Sequence, residues 1–188
     1  QKSRHSGLIA ESRSVPQTNT LHLTLAQALI KQDGFGRIVE RGTEAGIHHF
    51  MPLVTERCIV REMKANKQER WAAIAREAAE QSRRMMVPRI DLSPTALSDL
   101  TLHDGQAGVV FHPQGAALEA SSAWQTADHI MMVVGPEGGL SDQEVENLVH
   151  RGFQAISLGP HIYRAEYAGS YAAVMLQALR RYQERNGV

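Results

Sequence analysis

The run Val133-Val134-Gly135-Pro136-Glu137-Gly138-Gly139-Leu140-Ser141 ends an apolar stretch in a Gly-Pro-Glu-Gly-Gly turn, and a helix start follows at once. Glycines let a backbone come close to a ligand, and Pro136 stiffens the loop by fixing its φ. A helix N-terminus adds free N–H groups. A phosphate site would use these features. However, the run is neither Gly-x-Gly-x-x-Gly nor a Walker sequence, and it has no lysine. Glu137 would repel a phosphate, so a ligand carrying hydroxyls, an amino group or a sulfonium cation suits it better. The competing reading is a tight strand-to-helix turn with no ligand. A second stiff exit follows, Ile156-Ser157-Leu158-Gly159-Pro160, and then His161-Ile162-Tyr163-Arg164-Ala165-Glu166. Two such exits suggest one pocket built from two adjacent loops. Arg164 and Glu166 read either as a salt bridge or cap, or as an arginine that holds or polarises a substrate while the glutamate fixes the loop.

Other polar residues carry less. His112, beside Pro113, is the one histidine placed where strand ends would make a pocket, although such a histidine is more often structural. His48 and His49 point to opposite faces of a strand, and no spacing matches a metal site. Glu77, Glu80, Gln81, Arg83 and Arg84 close a helix and would ordinarily form a solvated, salt-paired face. Arg57, Arg61 and Lys64 could meet nucleic-acid phosphates. Aromatic residues make up only 5% of the chain, so extensive base stacking is not expected.

The elements that must position these residues alternate. Leu21, Leu23 and Leu25 fit a short strand. Asp33 can cap a helix carrying Ile38 and Val39 that Gly46 ends. Residues 47–54 read as a strand ending near Pro52. The clearest helix spans 67–84, with Trp71, Ile74, Ala75, Ala78 and Ala79 on one face. A short strand at 108–111 is followed by His112-Pro113 and a polar, Ala-rich loop. Trp124 to Asp128 leads into a buried strand at 130–134. Ser141-Asp142-Gln143-Glu144 is a capping box. It opens a helix with Val145, Leu148 and Val149 inward, and Gly152 stops it. Residues 155–158 form the next strand. The last helix, 166–183, places Tyr171, Val174, Met175, Ala178 and Tyr182 on one stripe. This order predicts an α/β fold, a mostly parallel sheet with helices on both faces.

The 188 residues suffice for one good core. No apolar run approaches a membrane span, residues 1–25 lack a secretory pattern, and the lone Cys58 has no disulfide or zinc companion. A cytoplasmic setting is the simplest reading. Net charge is zero, with a surplus of four positive charges in residues 1–100 and an equal deficit after them. On charge alone this asymmetry defines no partner.

Taken together, the two loops resemble the SPOUT-class methyltransferases, and within them the RsmE family of small-subunit rRNA uridine N3-methyltransferases. The upstream landmarks agree: Arg41-Gly42-Thr43-Glu44-Ala45-Gly46-Ile47, Pro52-Leu53, Glu56-Arg57, Glu69-Arg70-Trp71, and Glu80-Gln81-Ser82 with Arg84, Val87 and Pro88. The resemblance runs from about Leu21 to the C-terminus. It implies a C-terminal trefoil knot, a homodimer, S-adenosyl-L-methionine as cofactor, no metal and no membrane. The substrate would be 16S rRNA or the small ribosomal subunit. Residues 1–20 would be a linker or the remnant of an N-terminal PUA-like domain, and 21–188 the methyltransferase domain. Val134, Gly135, Glu137, Gly138, Gly139, Leu158, Gly159, Ile162, Tyr163 and His112 would surround the cofactor. Arg164 and Glu166 would be catalytic, and Glu44, Arg57, Gln81 and Arg84 would face RNA. Where the family usually has Leu-Arg-x-Glu-Thr-Ala, this chain has Tyr163-Arg164-Ala165-Glu166-Tyr167-Ala168. A non-catalytic RNA-binding relative, or an enzyme acting on another RNA, is the alternative.

Overall fold

The computed structural model describes residues 21–32, 34–63, 65–120 and 126–186. The expectations for residues 1–20, Asp33, Lys64 and Trp124 fall outside them. Among the described residues the elements run β1 (His22–Ala28), α1 (Gly34–Glu44), β2 (His49–Val54), α2 (Ala65–Gln81), β3 (Arg89–Ile90), β4 (Thr95–Ala96), β5 (Gln106–Ala117), β6 (His129–Val134), α3 (Asp142–His150), β7 (Phe153–Ser157) and α4 (Ala165–Asn186). The strands form one sheet of order β3-β2-β1-β6-β5-β7, with β4 also on β2. Every pairing is parallel.

The central strands show why their sequences are apolar without a break. In β6, Ile130, Met132 and Val134 enter the core beneath α1, α2 and α4. Met131 and Val133 enter a second core with Val145 and Leu148 of α3. A strand covered on both faces needs apolar side chains at every position. β1 is likewise buried along nearly its whole length, with Thr24 and Gln27 as buried polar residues. Its leucines looked like a short alternating strand, but Thr24 between them is buried too and Ala26 enters the second core.

Four further expectations change. On α4 the stripe read from the sequence lies mostly in solvent: Tyr171 is 44%, Val174 51% and Tyr182 67% exposed, and only Met175 packs partly against the core. Ala165, Ala168, Ala172, Ala173 and Leu176 face the core instead. The helix lies close to the sheet, so small residues are the ones that fit. A Cβ on Gly169 would come within 2.6 Å of the Leu25 side chain. On α3, Val149 is likewise half-exposed. The segment after Phe111 is not a free loop but the continuation of β5. Phe111 and Ala116 both stand opposite Ile156, so His112–Gly115 bulge out of register. Proline at position 52 lies inside β2 rather than at its end. β3 pairs with His49 and Phe50 and β4 with Leu53 and Val54, which leaves Met51 and Pro52 uncovered on that side. A residue without an N–H donor is tolerated where the ladder is interrupted.

At the amino edge of the sheet the His22 ring stacks on His48 at 4.6 Å and on His129 at 4.7 Å. The Leu23 N–H donates to His48 Nδ1 at 3.2 Å. Burial, then the neighbouring His22, Arg84 and His129, push His48 down from 6.5 to about 4. His22 is lowered too, by burial and then by His129 and His49. Below pH 6.5 the unfolded chain takes up protons that folded His48 refuses until about pH 4. The stabilisation from this neutral stack is therefore complete above pH 6.5 and lost as pH falls through that window. Melting temperature should drop by several degrees from pH 7.5 to 4.5. His48→Asn, which keeps an acceptor for Leu23, should flatten the profile; an unchanged profile would assign the acid sensitivity elsewhere.

Candidate active site

The two Gly-Pro exits meet. A cleft of about 1110 Å³ lies beyond the carboxyl ends of β1, β5, β6 and β7. One wall is the Val134–Leu140 turn, another the Ser157–Glu166 segment, and the floor includes the β5 bulge through Phe111, His112, Pro113 and Gln114. Strand order reverses between β1 and β6, and crevices form where neighbouring strands send their connections opposite ways.

The turn is held mainly from outside. The Lys31 N–H donates to the Glu137 carboxylate at 2.9 Å. Arg57 Nη1 donates to the Gly138 carbonyl at 2.9 Å and to that of Leu140 at 3.3 Å. The Gln27 amide reaches the carbonyls of Val134 at 3.5 Å and Gly135 at 3.2 Å. Within the turn, Gly139 N–H donates to the Pro136 carbonyl at 2.9 Å. A Cβ on Gly135 would come within 2.9 Å of Leu140 N, so only glycine lets the turn close this tightly. Ser141 caps α3 in the expected box with Glu144. Its hydroxyl donates to Glu56 at 2.8 Å, and Glu56 N–H donates to Glu144 at 2.7 Å, tying the exit of β2 to the same helix start.

The second wall is looser. Gly159 adopts φ +107° with open space where a side chain would project. Ile162 is 85% exposed. Arg164 immediately precedes α4, and its carbonyl accepts the Tyr167 and Ala168 N–H groups. Its guanidinium is exposed and, among the described residues, makes no hydrogen bond or ion pair. Glu166, in the first turn of α4, suits the positive end of the helix dipole. The tyrosines that depart from the family pattern pack together. Tyr163 meets Tyr171 edge-on at 5.1 Å, Tyr167 stacks on Tyr171 at 5.8 Å, and Arg41 sits 4.1 Å over the Tyr167 ring.

Among the residues singled out from sequence, the cleft gathers Val134, Gly135, Glu137, Gly138, Gly139, Leu158, Gly159, Ile162, Tyr163, His112, Arg164, Glu166 and Arg57. Glu44, Gln81 and Arg84 lie elsewhere. Glu44 and Gln81 end α1 and α2. The half-buried Arg84 donates to the carbonyls of Thr43 at 2.8 Å and Ile47 at 2.6 Å, closing the C-terminus of α1. Sequence reasoning missed Lys31 and Arg37, two exposed cations on the cleft rim, and Gln27 beneath it. The lone amide in the apolar run Leu21–Ile30 was a signal for the last. Among the described residues, no three His, Cys, Asp or Glu groups converge as a metal would require.

Fold and site together define a domain whose kind is known. Residues 17–177 match the family described as RNA methyltransferase domain. The chain is 34% identical to ribosomal RNA small subunit methyltransferase E of Bacillus subtilis over 182 residues, covering 91% of this chain and 71% of that protein. The protein of the same name in Synechocystis is also 34% identical, covering 91% of this chain and 56% of the relative. The crystal structure of ribosomal RNA small subunit methyltransferase E from Neisseria gonorrhoeae, bound to S-adenosyl methionine, superposes with a TM-score of 0.78 at 30% identity. That match covers 85% of this chain and 66% of the other. The chain belongs to the ribosomal RNA small subunit methyltransferase E family, and it spans 56–71% of the length of these relatives.

Arg84→Ala would strand two partly buried carbonyls. It should lower unfolding free energy by about 1–3 kcal/mol, the cost of leaving such groups unpaired. Urea denaturation measures this, and an unchanged midpoint would free Arg84 for a role outside the fold.

Proposed function

We propose that this chain is an S-adenosyl-L-methionine-dependent methyltransferase that acts on N3 of a uridine in small-subunit (16S) ribosomal RNA, in the cytoplasm. The observation that carries the reading is the joining of both Gly-Pro exits in one cleft with Arg164 at its side, unpaired among the described residues. The names of the relatives and the ligand of the Neisseria structure support it.

The cleft suits the cofactor. Its volume lies just above the usual range of about 300–1,000 Å³ for small-molecule sites, room for a nucleoside and a second planar group. Glu137, the group most hostile to an anion, is turned to Lys31 N–H. The walls therefore offer mostly backbone edges: Val134, Gly135, Gly138 and Gly139 on one side, Leu158, Gly159 and Ile162 on the other, with Tyr163 and His112 completing the surround. When bound, S-adenosylmethionine supplies a methyl group on a sulfonium, with its electrophilic carbon exposed.

The rest falls to the chain. The uracil N3–H is weakly acidic, and negative charge grows on the flanking carbonyl oxygens as nitrogen becomes nucleophilic. Arg164 lies free to stabilise those oxygens. Glu166, in the same cleft, would take the N3 proton as N3 receives the methyl group, the C–S bonding pair remaining on the departing thioether sulfur. N3 is used in base pairing, so the base enters unpaired or flipped. Lys31 and Arg37 on the rim, exposed and with no side-chain partner among the described residues, meet the phosphates beside it. A homodimer covers the outward face of α4, where Tyr171, Val174 and Tyr182 join the exposed Ile162.

Calorimetric titration with S-adenosylmethionine should show saturable binding. Undermodified small subunits should gain a methyl group that mass mapping places on uridine N3. Arg164→Ala should retain cofactor binding and lose roughly 10²–10³-fold in turnover, the usual loss for one such donor. RNA binding without cofactor binding would instead make this a non-catalytic relative. Lys31→Ala with Arg37→Ala should weaken RNA binding and flatten its salt dependence; an unchanged slope would move the RNA off this rim. Val174→Glu should yield monomers in sedimentation.

A further inference from the structure

We propose that Gln27 is a positioning residue for the cofactor loop. Its side-chain amide, wholly buried where β1 and β6 part, sets the direction of the Val134 and Gly135 peptides in the cleft wall. This inference rests on the reading of the cleft as a cofactor site.

Gln27 is 0% exposed in the middle of the sheet. It stands opposite Val134 in the last paired position of β1 and β6. Beyond that rung the strands separate. There the Gln27 Nε2 adds a side-chain donor, reaching the carbonyls of Ala28 at 3.3 Å, Val134 at 3.5 Å and Gly135 at 3.2 Å. Three surrounding acceptors fix the amide orientation, because the flipped amide would set its oxygen against them. In a trans peptide C=O and N–H point opposite ways. Holding the Val134 carbonyl therefore also aims the Gly135 N–H.

The arrangement has a cost that stability alone does not explain. Gln27 Oε1 is buried and finds no partner among the described residues. An apolar side chain of similar length would fill the same space without that orphan, but would take the side-chain donor from the Ala28 and Gly135 carbonyls. Local rules broken at one buried position are expected where function is served. Gln27 does not line the cleft, so it acts through the loop it holds rather than on the ligand.

The test uses Gln27→Met, which keeps length and removes the donors, and Gln27→Asn, which keeps the amide with less reach. In ligand-free protein, amide hydrogen exchange in residues 133–141 should speed up about tenfold more in Gln27→Met than exchange in α2, which reports only the global loss that unpaired carbonyls bring. S-adenosylmethionine affinity should weaken about tenfold, the factor that 1.4 kcal/mol makes. Gln27→Asn should lie between, and it carries the test if the methionine variant does not fold. Unchanged exchange in 133–141, or exchange that speeds up equally in α2, would overturn the proposal and leave Gln27 a packing residue. If wild-type protein binds no S-adenosylmethionine, the cofactor reading fails, and the exchange experiment still decides whether Gln27 orders the loop.

Discussion

A sheet whose strands all run one way sends every carboxyl end to the same edge. Carbonyls there outnumber the backbone donors that can reach them, and buried carbonyls must be satisfied. The shortage is sharpest between β1 and β6, where the connections leave in opposite directions. The solutions are side chains brought in from neighbouring exits: Gln27, Arg57 and, for the complementary N–H of Lys31, the carboxylate of Glu137. The Gly-Pro-Glu-Gly-Gly turn thus takes its shape from the parting of two strands more than from its own sequence.

The two walls of the cleft are built differently. The first is tied to the exits of β1 and β2 and to the cap of α3, and any shift in it would break bonds to three elements. The second rests on a glycine at positive φ and on the start of α4, with Ile162 and Arg164 left in solvent. A fixed wall facing a freer one can admit a large substrate and still hold a small ligand in a defined pose. The tyrosine cluster beneath Arg41 anchors the freer wall at its helix end, and the Ser157 hydroxyl, bonded to Gly159, at its strand end.

Much of this was legible in the sequence because local rules and tertiary needs agreed. The capping box of α3, the apolar β6 and the two Gly-Pro exits each state their role within a few residues. The misreadings fall where a distant neighbour decides. The stripe on α4 looked inward by size, yet close packing over Leu25 selected the small residues between. Residues 112–117 read as a loop because the register shift that returns them to Ile156 is a property of the pair, not of β5. Arg57 and Arg84 looked like surface cations, but each is occupied by carbonyls far away in sequence. Gln27 drew no attention because a buried amide has meaning only beside the strand end it serves.

The pairing of β1 with β6 also sets an order of events. His22 meets His129 and Gln27 meets Val134, so the middle of the sheet joins segments about a hundred residues apart. Contacts of such separation form slowly, because loop entropy is lost before they repay it. During synthesis β1 precedes β6 by about a hundred residues, and among the described strands β2 is the first sheet neighbour to follow it. One edge of β1, destined for the centre of the domain, stays open until β6 has been made, in a chain whose family modifies the ribosome's own RNA.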